Sequence, residues 1–292
     1  MNITEEMNAQ NRDLLYRVLA AVLLWSAMMP VLAAPPPERI VSADAGSTAL
    51  IRAFGLGDQL VAVDMTSQQL PGQALPVIGY HRQLAAEGLL ALKPTVLVGT
   101  EHMGPPETLT ALTLAGVRVV ALPPVTDAKT LLNGVTQLAQ ALGQTAAAHG
   151  VQQTLQADLS QLAMGNAATP LRAVFLLMAG HRGLREAGTG TGGDALIRLL
   201  GATNLATHAS YQTVSAEALL ALQPDMLLIS TDGMDAAGDL LQQYPVLKTV
   251  PAAVTGRIMA VRSDSLVAGL SILTVAEALR LQPMIAAPVA AK

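Results

Sequence analysis

Cysteine is absent from this sequence of 292 residues, and aromatic residues make up only 2% of it. The first absence excludes disulfide bonds, thiolate metal sites, a cysteine nucleophile and a lipid anchor on an N-terminal cysteine. One Trp, four Tyr and two Phe are too few to form a stacking platform for single-stranded nucleic acid. Because the net charge is −4, a basic surface for phosphate backbones is missing as well. The composition therefore predicts no nucleic-acid partner.

Charged residues are also scarce, at 13% against 51% apolar residues. A chain with a mean hydropathy of +0.43 is expected to fold around a large buried core and not to remain disordered. Its length suits one large domain or two ordinary ones.

The first 34 residues have the pattern of a cleavable export signal. Arg12 and Arg17 precede a short apolar run that ends in Val-Leu-Ala-Ala, directly before three prolines. The alternative is a membrane anchor, but a span needs about 20 apolar residues, and Ser26 and Pro30 interrupt this run. We expect residues 1–34 to be removed on export. The mature protein is then expected in the periplasm, neither lipidated nor embedded in a membrane.

After the prolines, short β-branched segments alternate with longer helical ones, a pattern typical of a parallel sheet with crossover helices. The predicted strands are Arg39–Ser42, Leu60–Val63, Thr95–Gly99, Val117–Ala121, Leu171–Met178, Met226–Ser230 and Arg257–Val261. The predicted helices are Ser47–Ala53, Ala85–Ala91, Pro106–Ala115, Gly193–Leu200, Ala216–Ala221, Asp235–Gln242 and Thr274–Leu281. Residues 127–164, rich in Ala, Gln and Leu and free of proline, predict one or two long helices.

An internal repeat indicates two similar lobes. Residues 86–100 align without gaps to residues 216–230, and eight of the fifteen pairs are identical. Each copy predicts a short helix, a proline that ends it and a buried strand. The alternative is chance, since this arrangement is common in α/β proteins. We predict an α/β fold of two Rossmann-like lobes bridged by a long helix, with a ligand cleft between the lobes at the carboxyl ends of the strands.

The predicted domain boundaries follow from the repeat and from the helical stretch between its copies. They are 1–34 for the signal peptide, 35–126 for the N-terminal lobe, 127–168 for the bridging helix region and 169–292 for the C-terminal lobe.

Sequence signatures of catalysis are missing. The chain has no G-x-S-x-G elbow, no G-x-x-x-x-G-K-[ST] loop and no H-E-x-x-H pair. The glycine-rich residues 188–193 lack the lysine of a phosphate loop and predict a tight turn before a helix. We therefore expect a binding protein and not an enzyme. A metal-dependent periplasmic hydrolase that uses the histidines is the alternative class.

Residues 79–88, with the sequence G-Y-H-R-Q-L-A-A-E-G, resemble the G-Y-x-R-Q-L-S-x-E-G stretch of haem-binding periplasmic proteins. These are the soluble components of bacterial haem-uptake ABC importers. The resemblance extends over nearly all of the chain after the signal, including residues 39–42, 57–64, 100–106, 187–197 and 211–219. It implies a monomeric carrier that captures haem b and delivers it to an inner-membrane ABC permease with its ATPase. Because a fold does not fix its ligand, a corrinoid or a ferric siderophore is the alternative cargo.

The resemblance also implies roles for individual residues. Tyr80 matches the tyrosine that ligates ferric haem, and a phenolate is a hard oxygen donor that suits Fe(III). Arg82 is then expected to bond the phenolate or a haem propionate.

His181 lies near the place where some family members carry a histidine that binds haem, so it is one candidate for a second axial ligand. His102 and His81 depart from the residues usual in the family. His102 is the other candidate, because it follows a strand in a turn expected to face the cleft, and His81 is expected to be a flanking haem contact. Further contacts to haem or its propionates are expected from Arg182, Arg185 and Tyr211.

Glu87 and Glu217 occupy corresponding positions of the repeat. By the resemblance they dock the carrier on two similar permease subunits. The alternative is that both are ordinary helix-start glutamates favoured by the helix dipole. Residues 269–274, G-L-S-I-L-T, depart from the family's G-F-G-P-R-T, so the aromatic and arginine contacts of that loop are not expected here.

Overall fold

The computed structural model describes residues 36–166, 169–178, 183–230, 235–266 and 269–286. The expected export signal, His181 and Arg182 lie outside the described residues. Among the residues that are described, no helix is both long enough and apolar enough to cross a membrane.

A four-stranded sheet forms from the first part of the chain. Its strands are β1 (Ile40–Ser42), β2 (Leu60–Val63), β3 (Val96–Thr100) and β4 (Arg118–Leu122). They lie in the order β2-β1-β3-β4, and every neighbouring pair is parallel. Each strand falls within one residue of its predicted bounds. The alternation of short apolar strands with helices therefore predicted this sheet correctly.

Three helices cross between these strands: α1 (Ala45–Ala53), α2 (Ala86–Ala91) and α3 (Pro106–Leu114). Helix α1 begins where the Asp44 carboxylate accepts a hydrogen bond from the Ser47 amide, at 2.7 Å. Helix α3 begins at a proline, whose missing amide proton costs nothing in a first turn.

Two long helices follow, α4 (Ala128–Ala141) and α5 (Thr145–Met164). Asp127 caps α4 in a capping box with Thr130, and Gly143 separates the two helices in a left-handed conformation with φ +68°. The prediction of one or two long helices is confirmed as two. At 20 residues, α5 is about 30 Å long.

The second sheet is mixed and contains six strands. They are β5 (Arg172–Met178), β6 (Leu184–Ala187), β7 (Thr203–Asn204), β8 (Tyr211–Val214), β9 (Met226–Ser230) and β10 (Ile258–Val261). The order is β10-β9-β5-β6-β8, and β7 pairs with β5. Strands β5, β9 and β10 are parallel as predicted, but β6 is antiparallel to both of its neighbours. The sequence pattern did not predict β6, β7 and β8, because these short polar segments carry no run of β-branched residues.

The helices of this part are α6 (Gly192–Leu199), α7 (Ala216–Leu222), α8 (Ala236–Gln243), α9 (Pro251–Val254) and α10 (Ile272–Ala286). Helix α10 extends several residues beyond its prediction at the carboxyl end and packs against α1, α5 and α6. One apolar cluster joins Ile40 of the first sheet, Leu155 of α5, Phe175 of the second sheet and Leu281 of α10. The described lobes therefore share a continuous core.

The sequence repeat is also a structural repeat. Leu89 and Leu219 are buried at corresponding positions of α2 and α7. Both helices are followed by a non-glycine residue in the left-handed region, Lys93 with φ 50° and Gln223 with φ 47°. A proline and a buried strand come next in each copy. The same chain path therefore occurs once in each sheet region.

Candidate functional site

The loop that contains Tyr80 follows β2, at the carboxyl edge of the first sheet. Main-chain hydrogen bonds join this loop to the end of β2, from the Ile78 amide to the Val63 carbonyl and from the Met65 amide to the Gly79 carbonyl, both at 2.9 Å. The Tyr80 carbonyl accepts from the Gln83 amide at 2.8 Å. The side chain of Tyr80 remains 40% exposed. The phenol of Tyr80 is therefore accessible to solvent, while main-chain hydrogen bonds fix the backbone of its loop.

The turn that follows β3 is bonded to the Tyr80 loop. The Gly104 amide donates to the His81 carbonyl at 3.0 Å, and the Leu84 amide donates to the Gly104 carbonyl at 2.8 Å. His102 precedes this contact by two residues, and both His102 and Arg82 are exposed. The structure therefore brings the turn of His102 to the loop of Tyr80 and Arg82.

His81 points into the protein. It is only 4% exposed, and its Nδ1 lies 3.2 Å from Oδ2 of Asp64, a residue that is fully buried at the end of β2. The ring of His81 also contacts that of Tyr80, with 4.3 Å between the centroids and 51° between the planes. Sequence reasoning treated His81 as a flanking haem contact and did not find Asp64. An acidic residue directly after a buried strand was the signal that could have identified it.

A second buried carboxylate, Asp44, lies at the end of β1. Burial raises the pKa of Asp44, while the amide and the hydroxyl of Ser47 act in the opposite direction. Its two oxygens accept from Ser47 at 2.7 and 2.8 Å. The interior beneath the Tyr80 loop therefore holds two acidic groups and one imidazole.

Arg185 and Tyr211 lie on the antiparallel strands of the second sheet. Arg185 is exposed, and its guanidinium donates to the Tyr211 carbonyl at 2.7 Å. Burial raises the pKa of the Tyr211 phenol, although the Gly193 amide and the Thr191 hydroxyl lower it in part. The phenol of Tyr211 is therefore largely buried, whereas the phenol of Tyr80 is accessible to solvent.

The strand register fixes how far Tyr211 is from the carboxyl edge of the second sheet. Met178 pairs with Leu184, which in turn pairs with Val214, so these three residues mark that edge. Tyr211 lies three residues back along β8, a distance of about 10 Å at the usual rise per residue. It begins a strand, whereas Tyr80 lies in a loop, so the two tyrosines are not structural equivalents.

Glu87 and Glu217 are both exposed in the first turns of α2 and α7. The pKa of Glu217 is lowered by its own backbone amide and by the Ser215 hydroxyl at the start of α7. Ser215 also accepts a hydrogen bond from the Ala218 amide at 3.2 Å. The two lobes therefore present matched carboxylates. Within the described ranges, no group of three or more His, Asp or Glu residues is arranged to hold a metal ion.

Comparison with known proteins identifies a family and several structural neighbours. A family model described as periplasmic binding protein matches residues 40–265. The periplasmic haem-binding protein HutB of Vibrio cholerae is 36% identical, with a TM-score of 0.79 over 86% of this chain and 99% of that one. A periplasmic haem-binding protein from Pseudomonas aeruginosa is also 36% identical, with a TM-score of 0.77 over 87% of this chain and 95% of that one.

A curated relative has a different ligand in its name. The vitamin B12-binding protein of Vibrio cholerae serotype O1 is 29% identical over 231 residues, which are 74% of this chain and 79% of the relative. The likeness to solved structures bears out the two-lobed α/β fold. The names of the relatives divide between haem and vitamin B12.

Proposed function

The chain belongs to the periplasmic binding protein family, and we propose that it captures haem between its two lobes and delivers it to an ABC importer. The observation that carries the choice of haem is the exposed phenol of Tyr80 on its hydrogen-bonded loop. A phenolate is a hard anionic donor for ferric iron, and tyrosine ligation of haem iron is a known arrangement. The structural neighbours named as haem-binding support the same choice.

In this proposal Arg82 bonds the phenolate that iron ligation forms, or a haem propionate. A phenol has a pKa of about 10 in water, so a nearby cation has to favour the phenolate or the iron has to displace the proton. Arg82 is exposed two residues after Tyr80, where it can also pair with a haem propionate. Arg182 is the further candidate for a propionate from the second lobe. The guanidinium of Arg185 already donates one hydrogen bond to the Tyr211 carbonyl, so only its other N–H groups would remain for haem.

His181 and His102 are our two candidates for a second axial ligand. His102 is supported by the two hydrogen bonds through which Gly104 joins its turn to the Tyr80 loop. Single His→Ala variants distinguish the candidates, because loss of a sixth ligand converts six-coordinate ferric haem to five-coordinate haem, which resonance Raman marker bands report. The variant that makes this conversion identifies the ligand. A wild-type complex that is already five-coordinate excludes both.

The alternative cargo is a corrinoid, which the vitamin B12-binding relative favours. An exposed phenol argues for haem, because the cobalt of a six-coordinate corrinoid has no open position for a protein oxygen. Titration of the purified protein with hemin and, separately, with cyanocobalamin tests the choice. We expect a shifted Soret band that saturates with hemin and no competition by cyanocobalamin. Saturable binding of cyanocobalamin without binding of hemin would overturn the proposal.

We also propose that Glu87 and Glu217 contact the permease. Both carboxylates are exposed, and the repeat gives them the same place in two similar lobes. Two similar permease subunits would then meet two similar surfaces, and opposite charges would guide the encounter. Capture and delivery outside the inner membrane require export, for which residues 1–34 serve as the signal in this proposal. The carrier acts as a monomer, since each copy contains both lobes.

A further inference from the structure

Buried polar side chains lie beneath the Tyr80 loop, at the carboxyl ends of β1 and β2. They are Ser42, Asp44, Ser47, Thr48, Asp64, Ser67 and His81, each less than a tenth exposed. Burial of polar and charged groups lowers stability unless each is hydrogen-bonded, and an apolar filling would pack this space without that penalty. A buried polar group of this size therefore points to a role for the exposed Tyr80 above it.

Asp64 is the acceptor at the centre of the group. Its Oδ1 accepts from the Thr66 hydroxyl at 2.9 Å and from the Ser67 hydroxyl at 2.8 Å, and its Oδ2 lies 3.2 Å from Nδ1 of His81. A carboxylate can only accept hydrogen bonds, so this contact suits the tautomer of His81 in which Nδ1 is the donor. This bond fixes both the tautomer and the orientation of the imidazole, as a carboxylate does for histidines near metal sites.

The main chain of His81 is held as firmly as its side chain. Its carbonyl accepts from the Gly104 amide at 3.0 Å, so the residue is fixed from β2 on one side and from the turn after β3 on the other. The fixed ring then lies 4.3 Å from the ring of Tyr80, measured between centroids. A half-exposed tyrosine on a loop would otherwise sample several rotamers. A packed aromatic neighbour removes part of that freedom before any ligand arrives.

We propose that Asp64 and His81 are positioning residues that hold the Tyr80 side chain ready for its ligand. His81 supplies the surface on which the phenol ring rests, and Asp64 keeps His81 in place. The part of this inference that concerns affinity rests on the proposed function, in which Tyr80 ligates ferric haem. The part that concerns the orientation of Tyr80 is independent of any ligand.

Asp44 provides a matched control from the same buried group. It is as deeply buried as Asp64, but it is bonded to Ser47 and caps α1. Asn is an equally good helix cap, so Asp44→Asn replaces a buried carboxyl group next to Asp64 and leaves the cap in place. No hydrogen bond between Asp44 and His81 is found in the described part of the chain.

The first test needs no ligand. We would incorporate 3-fluorotyrosine into the whole protein, assign the Tyr80 ¹⁹F resonance by its loss in Tyr80→Phe, and compare variants. His81→Gln can still donate to Asp64 but has no ring. We expect the Tyr80 resonance to narrow and move toward the shift of free 3-fluorotyrosine in His81→Gln and in Asp64→Asn. The resonances of Tyr211 and Tyr244, and the Tyr80 resonance in Asp44→Asn, should not move.

The second test uses hemin. In His81→Gln and Asp64→Asn we expect hemin affinity to fall about tenfold or more, the size usual for residues that orient a metal ligand. We also expect the ferric electron paramagnetic resonance signal to change its rhombicity, a property that a loss of global stability alone does not alter. His81→Gln is the decisive variant, because it leaves no buried carboxylate unpaired and should fold.

Two outcomes would overturn the inference. One is a lowered unfolding temperature in His81→Gln with the Tyr80 resonance, the hemin affinity and the ferric signal unchanged, which is the result of a purely structural pair. The other is the same change in Asp44→Asn as in Asp64→Asn. Failure of the wild-type protein to bind hemin would instead contradict the proposed function. In that case the fluorine resonance alone still decides whether His81 and Asp64 position Tyr80.

Discussion

Arg39 and Arg172 make the same contacts at the starts of corresponding strands in the two sheets. The Arg39 guanidinium donates to the carbonyls of Leu92 at 2.7 Å and Lys93 at 2.9 Å, just past the end of α2. The Arg172 guanidinium donates to the carbonyls of Leu222 at 2.8 Å and Gln223 at 3.2 Å, at the end of α7. Each arginine therefore satisfies carbonyls that the helix leaves without partners.

We expect Arg39→Lys and Arg172→Lys each to lower the free energy of unfolding by about 1 kcal/mol, because lysine cannot bond both carbonyls with one planar fork. The effects should add in the double variant, since the two sites lie in different sheets. Urea denaturation measures them. Arg198→Lys is the control, as Arg198 is exposed and pairs with Asp194 one turn earlier. A control effect as large as the other two would contradict a specific role for the arginines.

Tyr80→Phe removes the proposed ligand atom and little else. We expect hemin affinity to fall at least about a hundredfold and the phenolate-to-iron charge-transfer absorption to disappear. The thermal unfolding of the ligand-free protein should change little, because the side chain is 40% exposed. Tyr244→Phe is the matched control that should bind hemin as the wild type does. Full affinity in Tyr80→Phe would exclude this residue as the ligand.

Charge reversal at the matched carboxylates tests delivery separately from capture. We expect Glu87→Lys and Glu217→Lys each to weaken binding to the permease about tenfold, and the double variant to lose it, because repulsion replaces attraction at both contacts. Hemin affinity should be unchanged. Glu107→Lys is the control, since Glu107 is equally exposed in the first turn of α3. Binding to the permease complex in nanodiscs measures the effect, and equal losses in the control would point to a general charge effect.

Glu277 should make stability depend on pH in the acid range. Burial opposes its ionisation, but hydrogen bonds from the Arg280 guanidinium, at 2.7 and 3.0 Å, and from the Arg262 amide outweigh burial and lower its pKa below the ordinary 4.5. A lowered pKa in the folded state stabilises the protein fully above pH 4.5, and this contribution is lost as the pH falls through the folded-state value.

The variant Glu277→Gln isolates that contribution. At pH 7 we expect it to lower the free energy of unfolding by about 2 kcal/mol, since it weakens bonds to a charged group. The difference from the wild type should shrink as the pH is lowered below 4.5. Urea titrations at several pH values measure it. A difference that stays constant with pH would show that packing, and not charge, is what the variant loses.

The shared core predicts a small movement of the lobes. Helix α10 packs against α1, α5 and α6, and one apolar cluster continues from the first sheet to the second. We therefore expect the lobes to rotate by about ten degrees or less between ligand-free and bound crystals, because a wide hinge would have to open that cluster. A much larger rotation would show that the cluster does not join the lobes in solution.

The sequence alone determined the elements whose signals are local. Short apolar runs form the strands of the first sheet and strands β5, β9 and β10 of the second sheet. The helices between these strands follow apolar periodicity, caps and prolines. Strands and helices of this kind could therefore be predicted within a few residues. The repeat could be predicted because its two copies share residues as well as conformation. The first-turn positions of Glu87 and Glu217 followed from the same local patterns, whereas only the family resemblance singled out Tyr80.

Only the tertiary structure decided which distant residues meet. Strands β6 and β8 are too short and too polar to be recognised along the chain, and they form because β6 pairs with β5 and β8 pairs with β6. Asp64 and His81 are 17 residues apart, and Arg39 is more than 50 residues from the helix end that it caps. No local pattern records such contacts, because their free energy comes from burial and hydrogen bonding that exist only once the chain has folded.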